Sequence, residues 1–251
     1  MGTVREAAAA IASIGGPDEG PAVVWSDETH AACKKGQQLW LDALENGEFT
    51  PPGAKEPFVL APFVLIGATT NPGQLLRPLL DRFTVRESLD FYSTGEIEKI
   101  LRRYAGIEGF AFDDAGYAHL AAVGRGTPRI ANAILRRVAR FGEVADLDAM
   151  TGPDVEKALA QLGIDEFGLD PLDRRILKDG LAGQDSPIGI EALADMLCLD
   201  SDAVTNREPY LMRTRLIKRL SGGRVLTKHG YHVLRCVDKE FTMPTPPWVG
   251  L

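Results

Sequence analysis

An α/β segment followed by a helical segment and a winged helix is the fold class predicted by this 251-residue chain. Three observations carry that prediction. Two continuous apolar runs, Pro21–Trp25 and Phe63–Ile66, each end in polar residues, as strands of a buried parallel sheet do. The stretch from about Glu87 to Gly163 keeps helical spacing throughout. From Asp165 onward the order is helix, helix, helix, hairpin, with basic residues gathered at its end.

Composition bounds the alternatives. Hydrophobic residues at 45%, charged at 25% and aromatic at 7% exclude disordered, collagenous and disulfide-scaffold classes. The longest apolar stretch, Phe58 to Ala68, contains Pro62 and is too short to cross a bilayer. Glu6 stands where a secretory signal needs its apolar run. Cys33, Cys198 and Cys236 are odd in number and far apart, the pattern of reduced thiols. A soluble, cytoplasmic protein is expected.

Each element follows from local signals. After the Pro21–Trp25 run, Gln37, Trp40, Leu41 and Leu44 fall at helical spacing, with Gly47 as a stop. A Pro/Gly-rich connection, Thr50 to Pro57, leads to the second run, which ends at Gly67-Ala68-Thr69-Thr70-Asn71. Ser93 and Glu96 form a capping-box pattern ahead of Ile97, Ile100, Leu101 and Tyr104. Beyond Gly124 and Gly126, Ile130, Ile134, Val138 and Phe141 share one helix face. Pro153 opens a short helix ending at Leu162-Gly163. Asp170-Pro171 reads as an N-cap followed by Pro at N1. Helices over Ile190–Leu197 and Asp202–Met212 follow, then a wing of Leu216–Leu220, Ser221-Gly222-Gly223 and Arg224–Thr227.

The net charge of −7 argues against a general polyanion binder, but the average conceals a patch. Arg207, Arg213, Arg215, Lys218, Arg219, Arg224, Lys228 and Arg235 meet a single acid, Glu208. Such an excess suits phosphate contacts; a solvated face is the plainer alternative.

Three motifs carry chemistry. Asp27-Glu28-Thr29-His30 follows a strand. An Asp there can hold Mg2+, and the adjacent Glu can orient a water for attack on a γ-phosphate; a polar strand end is the alternative. In Asp81-Arg82-Phe83, Arg82 can stabilise charge on a phosphoryl group bound by a neighbouring subunit. A surface salt bridge to Asp81 is the competing reading. Gly126-Thr127-Pro128-Arg129 puts Arg129 in a first helical turn, where it opposes the dipole and would favour an anion partner. His229 and His232 lack a second pair for a zinc site, while His119 and Cys198 read as packing.

These words occur in order, with Ile66-Gly67-Ala68-Thr69-Thr70, Arg125-Gly126-Thr127-Pro128-Arg129-Ile130-Ala131-Asn132, Leu172-Asp173-Arg174-Arg175-Ile176-Leu177 and Glu208-Pro209-Tyr210-Leu211 the most specific. Over about residues 22 to 234 the chain resembles the RuvB family, the AAA+ motor of Holliday-junction branch migration. The resemblance implies a partial P-loop AAA+ ATPase core at 1–88, a helical lid at 89–163, a winged-helix DNA-binding domain at 164–237 and a tail at 238–251. It implies an ATP-dependent DNA helicase with ATP and Mg2+ as cofactors. Asp27 and Glu28 match the Walker B pair, with Asp27 toward the metal, and Thr69 and Thr70 match sensor 1. Arg82 matches the trans-acting arginine finger. Glu45, Tyr92 and Arg129, the last as sensor 2, match nucleotide contacts, and Arg219 and Arg224 match the wing arginines that touch DNA. Implied partners are four-way junction or duplex DNA, further copies in a hexameric ring, and a RuvA-like junction-binding protein.

The chain departs from the family pattern in four places. Asn46-Gly47 replaces an Asp-aromatic pair, and Gly222 replaces a basic wing residue. The Thr50–Pro62 connection is shorter than the family's RuvA-docking hairpin. No Gly-x-x-x-x-Gly-Lys-Ser/Thr run occurs, as expected of an N-terminally truncated member. A non-catalytic DNA-binding or ring-interacting AAA+ relative is the competing class. A clamp-loader or initiator relative would not predict the Glu-Pro-Tyr-Leu block.

Overall fold

The computed structural model describes residues 3–238, 240 and 241. They fall into two compact units, Met1–Leu89 and Asp90–Leu251. The expected tail, 238–251, lies outside the described residues except for Asp238, Glu240 and Phe241.

In the first unit, α1 (Val4–Ala12) opens on a capping box between Thr3 and Glu6 and buries Ala7, Ala8 and Ile11. After β1 (Ala22–Ser26), α2 (Lys34–Asn46) buries Trp40, Leu41 and Ala43 and stops at Gly47, whose φ of 68° needs no Cβ. The Pro/Gly-rich connection forms a hairpin: β2 (Glu48–Phe49) pairs antiparallel with β3 (Phe58–Val59). β4 (Phe63–Gly67) and α3 (Arg77–Arg82) complete the unit. β1 and β4 run parallel, Ala22 opposite Phe63 and Ser26 opposite Gly67. One face of this pair packs Val24, Phe63 and Leu65 against a core of Ile11, Trp40, Phe49 and Leu79. The other face is bare: Val23 is 72% exposed, Trp25 61%, Val64 59% and Ile66 43%.

Among the described residues the second unit holds two cores. α4 (Thr94–Glu108), α5 (Asp114–Val123), α6 (Pro128–Val144) and α7 (Gly152–Gln161) enclose Ile97, Leu101, Leu120, Leu135, Val138 and Val155. Fully burying one such aliphatic side chain stabilises by about 1.5–3 kcal/mol. The inward stripe of α6 centres on Ala131, Leu135, Val138 and Gly142, so Ile130, expected on the buried face, lies on its flank and is 36% exposed.

The second core begins with α8 (Pro171–Arg175), capped by Asp170, which accepts the Leu172 and Asp173 amides. A wider turn, Ile176–Leu181, continues it, and α9 (Ile190–Leu197) follows. The single helix expected over Asp202–Met212 is two, α10 (Ser201–Thr205) and α11 (Glu208–Arg213). Pro209 explains the break, since it has no N–H and its ring opposes the carbonyl four residues back. β5 (Ile217–Leu220) and β6 (Gly223–Leu226) form the antiparallel wing, and α12 (Lys228–Val237) packs Val233 and Leu234 into the core with Leu169, Leu177, Leu193 and Leu211.

Candidate functional site

The parallel ladder continues past the ends of β1 and β4. Ala68 N–H donates to the Ser26 carbonyl at 2.8 Å, and Thr29 N–H donates to the Ala68 carbonyl at 2.9 Å. A Cβ on Gly67 would lie 3.0 Å from both the Phe83 ring and Thr29 Oγ1, which is why glycine suits this tight approach. The two loops are thereby locked side by side, and the expected Asp27, Glu28, Thr69 and Thr70 come together.

Glu28 sits in the left-handed region, φ 47°. Its Oε2 accepts from Thr70 Oγ1 at 3.2 Å and the Thr70 amide at 3.5 Å, and lies 3.1 Å from His30 Nδ1. His30 Nδ1 is also 2.8 Å from Thr69 Oγ1, which accepts the Asn71 amide at 3.1 Å. Asp27 Oδ1 accepts the Glu28 amide at 3.0 Å. His30 received no role from the residue pattern, although its place in Asp-Glu-x-His was the available signal.

Arg82 and Glu45, expected to serve different subunits, are ion-paired within one chain. Arg82 Nε donates to Glu45 Oε1 at 3.0 Å, with the side chains 50% and 35% exposed. The anticipated Arg82–Asp81 bridge does not form; Asp81 pairs with Arg86 at 3.2 Å. In the second unit Tyr92 is 47% exposed, its amide donating to the Gly126 carbonyl at 3.0 Å, and Arg129 is exposed with no ion pair among the described residues.

The basic segment divides by burial. Arg219 and Lys218 are exposed on the wing, and Arg215 before it and Lys228 and Arg235 on α12 are exposed as well. Arg224 requires a correction. It is 8% exposed, and its Nε and Nη2 donate to the two Glu208 carboxylate oxygens at 2.7 and 2.8 Å. The one acid of the segment thus neutralises one of its arginines, and Arg224 anchors the wing to α11 instead of presenting charge to solvent.

Three of the most specific sequence words meet in one network centred on buried Arg125 and Asp173. Arg125 (φ 57°, 8% exposed) donates from Nη2 to Asp173 Oδ2 at 2.5 Å and to the Gly168 carbonyl at 2.6 Å, and lies 4.6 Å from the Tyr210 ring centre. Asp173 is fully buried and also accepts from Arg207 at 3.2 Å; Arg207 pairs with Asp170 as well. Tyr210 Oη donates to the Phe167 carbonyl at 2.6 Å. Arg213 stacks 4.0 Å from the Phe91 ring centre and donates to the Arg125 carbonyl at 2.6 Å. Its Nη1 and the Tyr92 carbonyl crowd Gly126, where a Cβ would approach to 2.6–2.7 Å. Nothing in the residue pattern marked Arg125, Asp173 or Arg213 as partners.

The residues fit the implied Mg2+ better than the implied nucleotide. Magnesium is ordinarily held by one or two carboxylates with phosphate and water oxygens, and Asp27, exposed at a strand end, suits that mode. Among the described residues no cluster of three or more His, Cys, Asp or Glu forms a self-sufficient metal site. A phosphate cradle of P-loop amides and lysine is missing from the sequence. Among the described residues no helix is long and apolar enough to cross a membrane.

Comparison with known proteins places these features in a family. Residues 92–165 match the RuvB AAA lid domain, and residues 166–235 match the RuvB C-terminal winged helix domain. The Holliday junction branch migration motor RuvB of Thermotoga maritima is 32% identical, with a TM-score of 0.78 over 94% of this chain and 75% of that one. A point mutant of the same protein gives 32% identity and a TM-score of 0.81 over 93% and 75%. With its small parallel sheet, its lid and its winged helix, the chain belongs to the RuvB family of Holliday junction branch migration motors.

Proposed function

We propose that the chain serves in a cytoplasmic ATP-dependent DNA motor that drives Holliday junction branch migration during recombination and repair. The observation that supports this most is the strand-end cluster, where Glu28 is joined to the Thr69-Thr70 loop and Asp27 stands beside it. Asp27 is the carboxylate for Mg2+, which when bound neutralises charge on phosphate oxygens. Glu28 orients the attacking water, and Thr69 and Thr70 hold it in register with the neighbouring strand. Arg82 acts on the nucleotide of an adjacent subunit in a hexameric ring. Exposed ion pairs contribute about 0–1 kcal/mol, so leaving Glu45 for that task is inexpensive. Glu45, Tyr92 and Arg129 contact nucleotide.

Arg219 contacts DNA phosphates, supported by its exposed neighbours. The domain assignment follows the same pattern: ATPase segment to residue 88, lid to 163, winged helix to 237. A RuvA-like partner is assigned to the β2–β3 hairpin, where Phe58 and Val59 are 41% and 52% exposed.

A second reading, a non-catalytic DNA-binding relative, is favoured by the missing P-loop motif. The chain alone should therefore hydrolyse ATP no faster than its Glu28→Gln variant, measured with DNA and Mg2+. Turnover well above that control would remove the P-loop argument. When a P-loop-bearing segment of a relative is supplied, Arg82→Ala should lower turnover by about 10³ or more while nucleotide binding persists. Unchanged turnover in a ring of Arg82→Ala subunits would exclude the finger role.

The DNA reading is tested by salt titration on duplex and four-way junction DNA. Non-specific affinity should fall at about 10⁻⁴ to 10⁻⁶ M at physiological salt. Arg219→Ala should flatten the log-affinity against log-salt slope by about one unit. Equal slopes would return Arg219 to a merely solvated residue.

A further inference from the structure

Glu28 carries an asymmetry that its strand-end position does not require. Among the described residues its carboxylate contacts, with Thr70 Oγ1, the Thr70 amide and His30 Nδ1, all converge on Oε2. Among the described residues Oε1 has no protein partner, although the side chain is half exposed. A carboxylate pinned by one oxygen presents the other in a fixed direction. His30 is 15% exposed, and its Nδ1 faces both Glu28 Oε2 and Thr69 Oγ1. A neutral imidazole has one N–H, so these two neighbours depend on the tautomer. Were Nδ1 unprotonated, its lone pair would oppose the carboxylate at 3.1 Å. With the proton on Nδ1, its one N–H is shared between Thr69 Oγ1 at 2.8 Å and Glu28 Oε2 at 3.1 Å, which ties the carboxylate to the Thr69-Thr70 loop.

We infer that His30 is a positioning residue: in its Nδ1–H form it pins Glu28 Oε2 to the Thr69-Thr70 loop and leaves Oε1 aimed outward for a water. The inference rests on the water-orienting reading of Glu28 for its purpose, but not for its geometry. Ring position matters as well as hydrogen bonding. An Asn at position 30 can place a donor where Nδ1 stands, whereas a Gln places its donor nearer Nε2.

Nuclear magnetic resonance of the labelled full chain, without nucleotide, tests it at a pH where the ring's own nitrogen shifts are those of a neutral imidazole. The long-range nitrogen–proton pattern of His30 should be that of the Nδ1–H tautomer. The Glu28 carboxyl-carbon resonance should move in His30→Ala, return toward its original position in His30→Asn, and stay displaced in His30→Gln. Unchanged Thr29 and Ala68 amide signals would verify that the strand ends remain folded. An Nε2–H pattern in the unmodified chain, a Glu28 resonance indifferent to His30→Ala, or equal rescue by Asn and Gln would each overturn the inference. Since no readout needs ATP, a failure of Glu28 to activate water would leave these signals intact, and the two failures stay distinguishable.

Discussion

Asp173 has no exposed surface and faces two guanidinium groups, so its removal is the most informative single change in the second unit. Asp173→Ala would leave Arg125 buried without its counter-charge, an arrangement that typically costs about 3–5 kcal/mol. Chemical denaturation should show that loss; a change under about 1 kcal/mol would mean water or Asp170 compensates. The two carboxyls are displaced in opposite directions. Burial pushes Asp173 above the ordinary aspartate range, against the pull of Arg125. Burial also raises Asp170, but hydrogen bonds from Arg207 and the Asp173 amide, with the Arg207 and Arg125 charges, outweigh it and hold Asp170 low. Asp170 therefore contributes stability that is present above its unfolded value of about 3.9 and lost as pH falls through its lower folded value. Asp173 has the reverse sign, its cost relieved on protonation. Asp170→Asn should flatten the acid limb of stability below about pH 4; an unchanged limb would place that sensitivity elsewhere. At this scale the residue pattern was least informative. Spacing identifies Arg-Gly-Thr-Pro-Arg as a unit but does not say that Arg125 turns inward while Arg129 stays out. It likewise counts Arg224 as free charge because Glu208, sixteen residues earlier, is a partner only after α11 and β6 meet.

Elements with strong local signals were readable from sequence. Ser93 and Glu96 cap α4, Asp170 and Pro171 open α8, and the two apolar runs form the parallel pair. α1 carried little contrast for a periodicity argument, being alanine-rich, and Gly230 interrupts the pattern of α12. The paired strands also carry an element-scale prediction. Val23 stands opposite Val64 and Trp25 opposite Ile66, all four on the bare face. Contiguous exposed apolar surface of this kind binds hydrophobic probes and favours association. Val23→Thr with Trp25→Thr should lower dye binding and reduce concentration-dependent light scattering. An undiminished signal would assign it to other exposed residues such as Leu89, 96% exposed.

For the molecule as a whole, the division into two units follows from where apolar side chains gather. The connection over Thr84–Asp90 is exposed and lacks regular structure, whereas the chain beyond it holds both the Leu101 and the Leu177 cores. Limited proteolysis should cut within 84–90 and release a C-terminal fragment that unfolds cooperatively. Rapid loss of that fragment would show that it depends on the first unit. The fold class and family were legible because several separated words keep the family's order. The site was legible only where neighbours in sequence stay neighbours in space, as at Asp27-Glu28 and Thr69-Thr70.

The Arg125–Asp173–Arg213 network has a mechanical consequence. It ties the Gly126 turn to α8 and α11 through charge pairs, a stacked ring and main-chain acceptors, with little room for slip. If separating those groups costs about 3 kcal/mol, the joint stands open less than about one time in a hundred. Displacement begun at the turn before Arg129 would then carry α8 and α11 with it, as rotation passes through a keyed shaft.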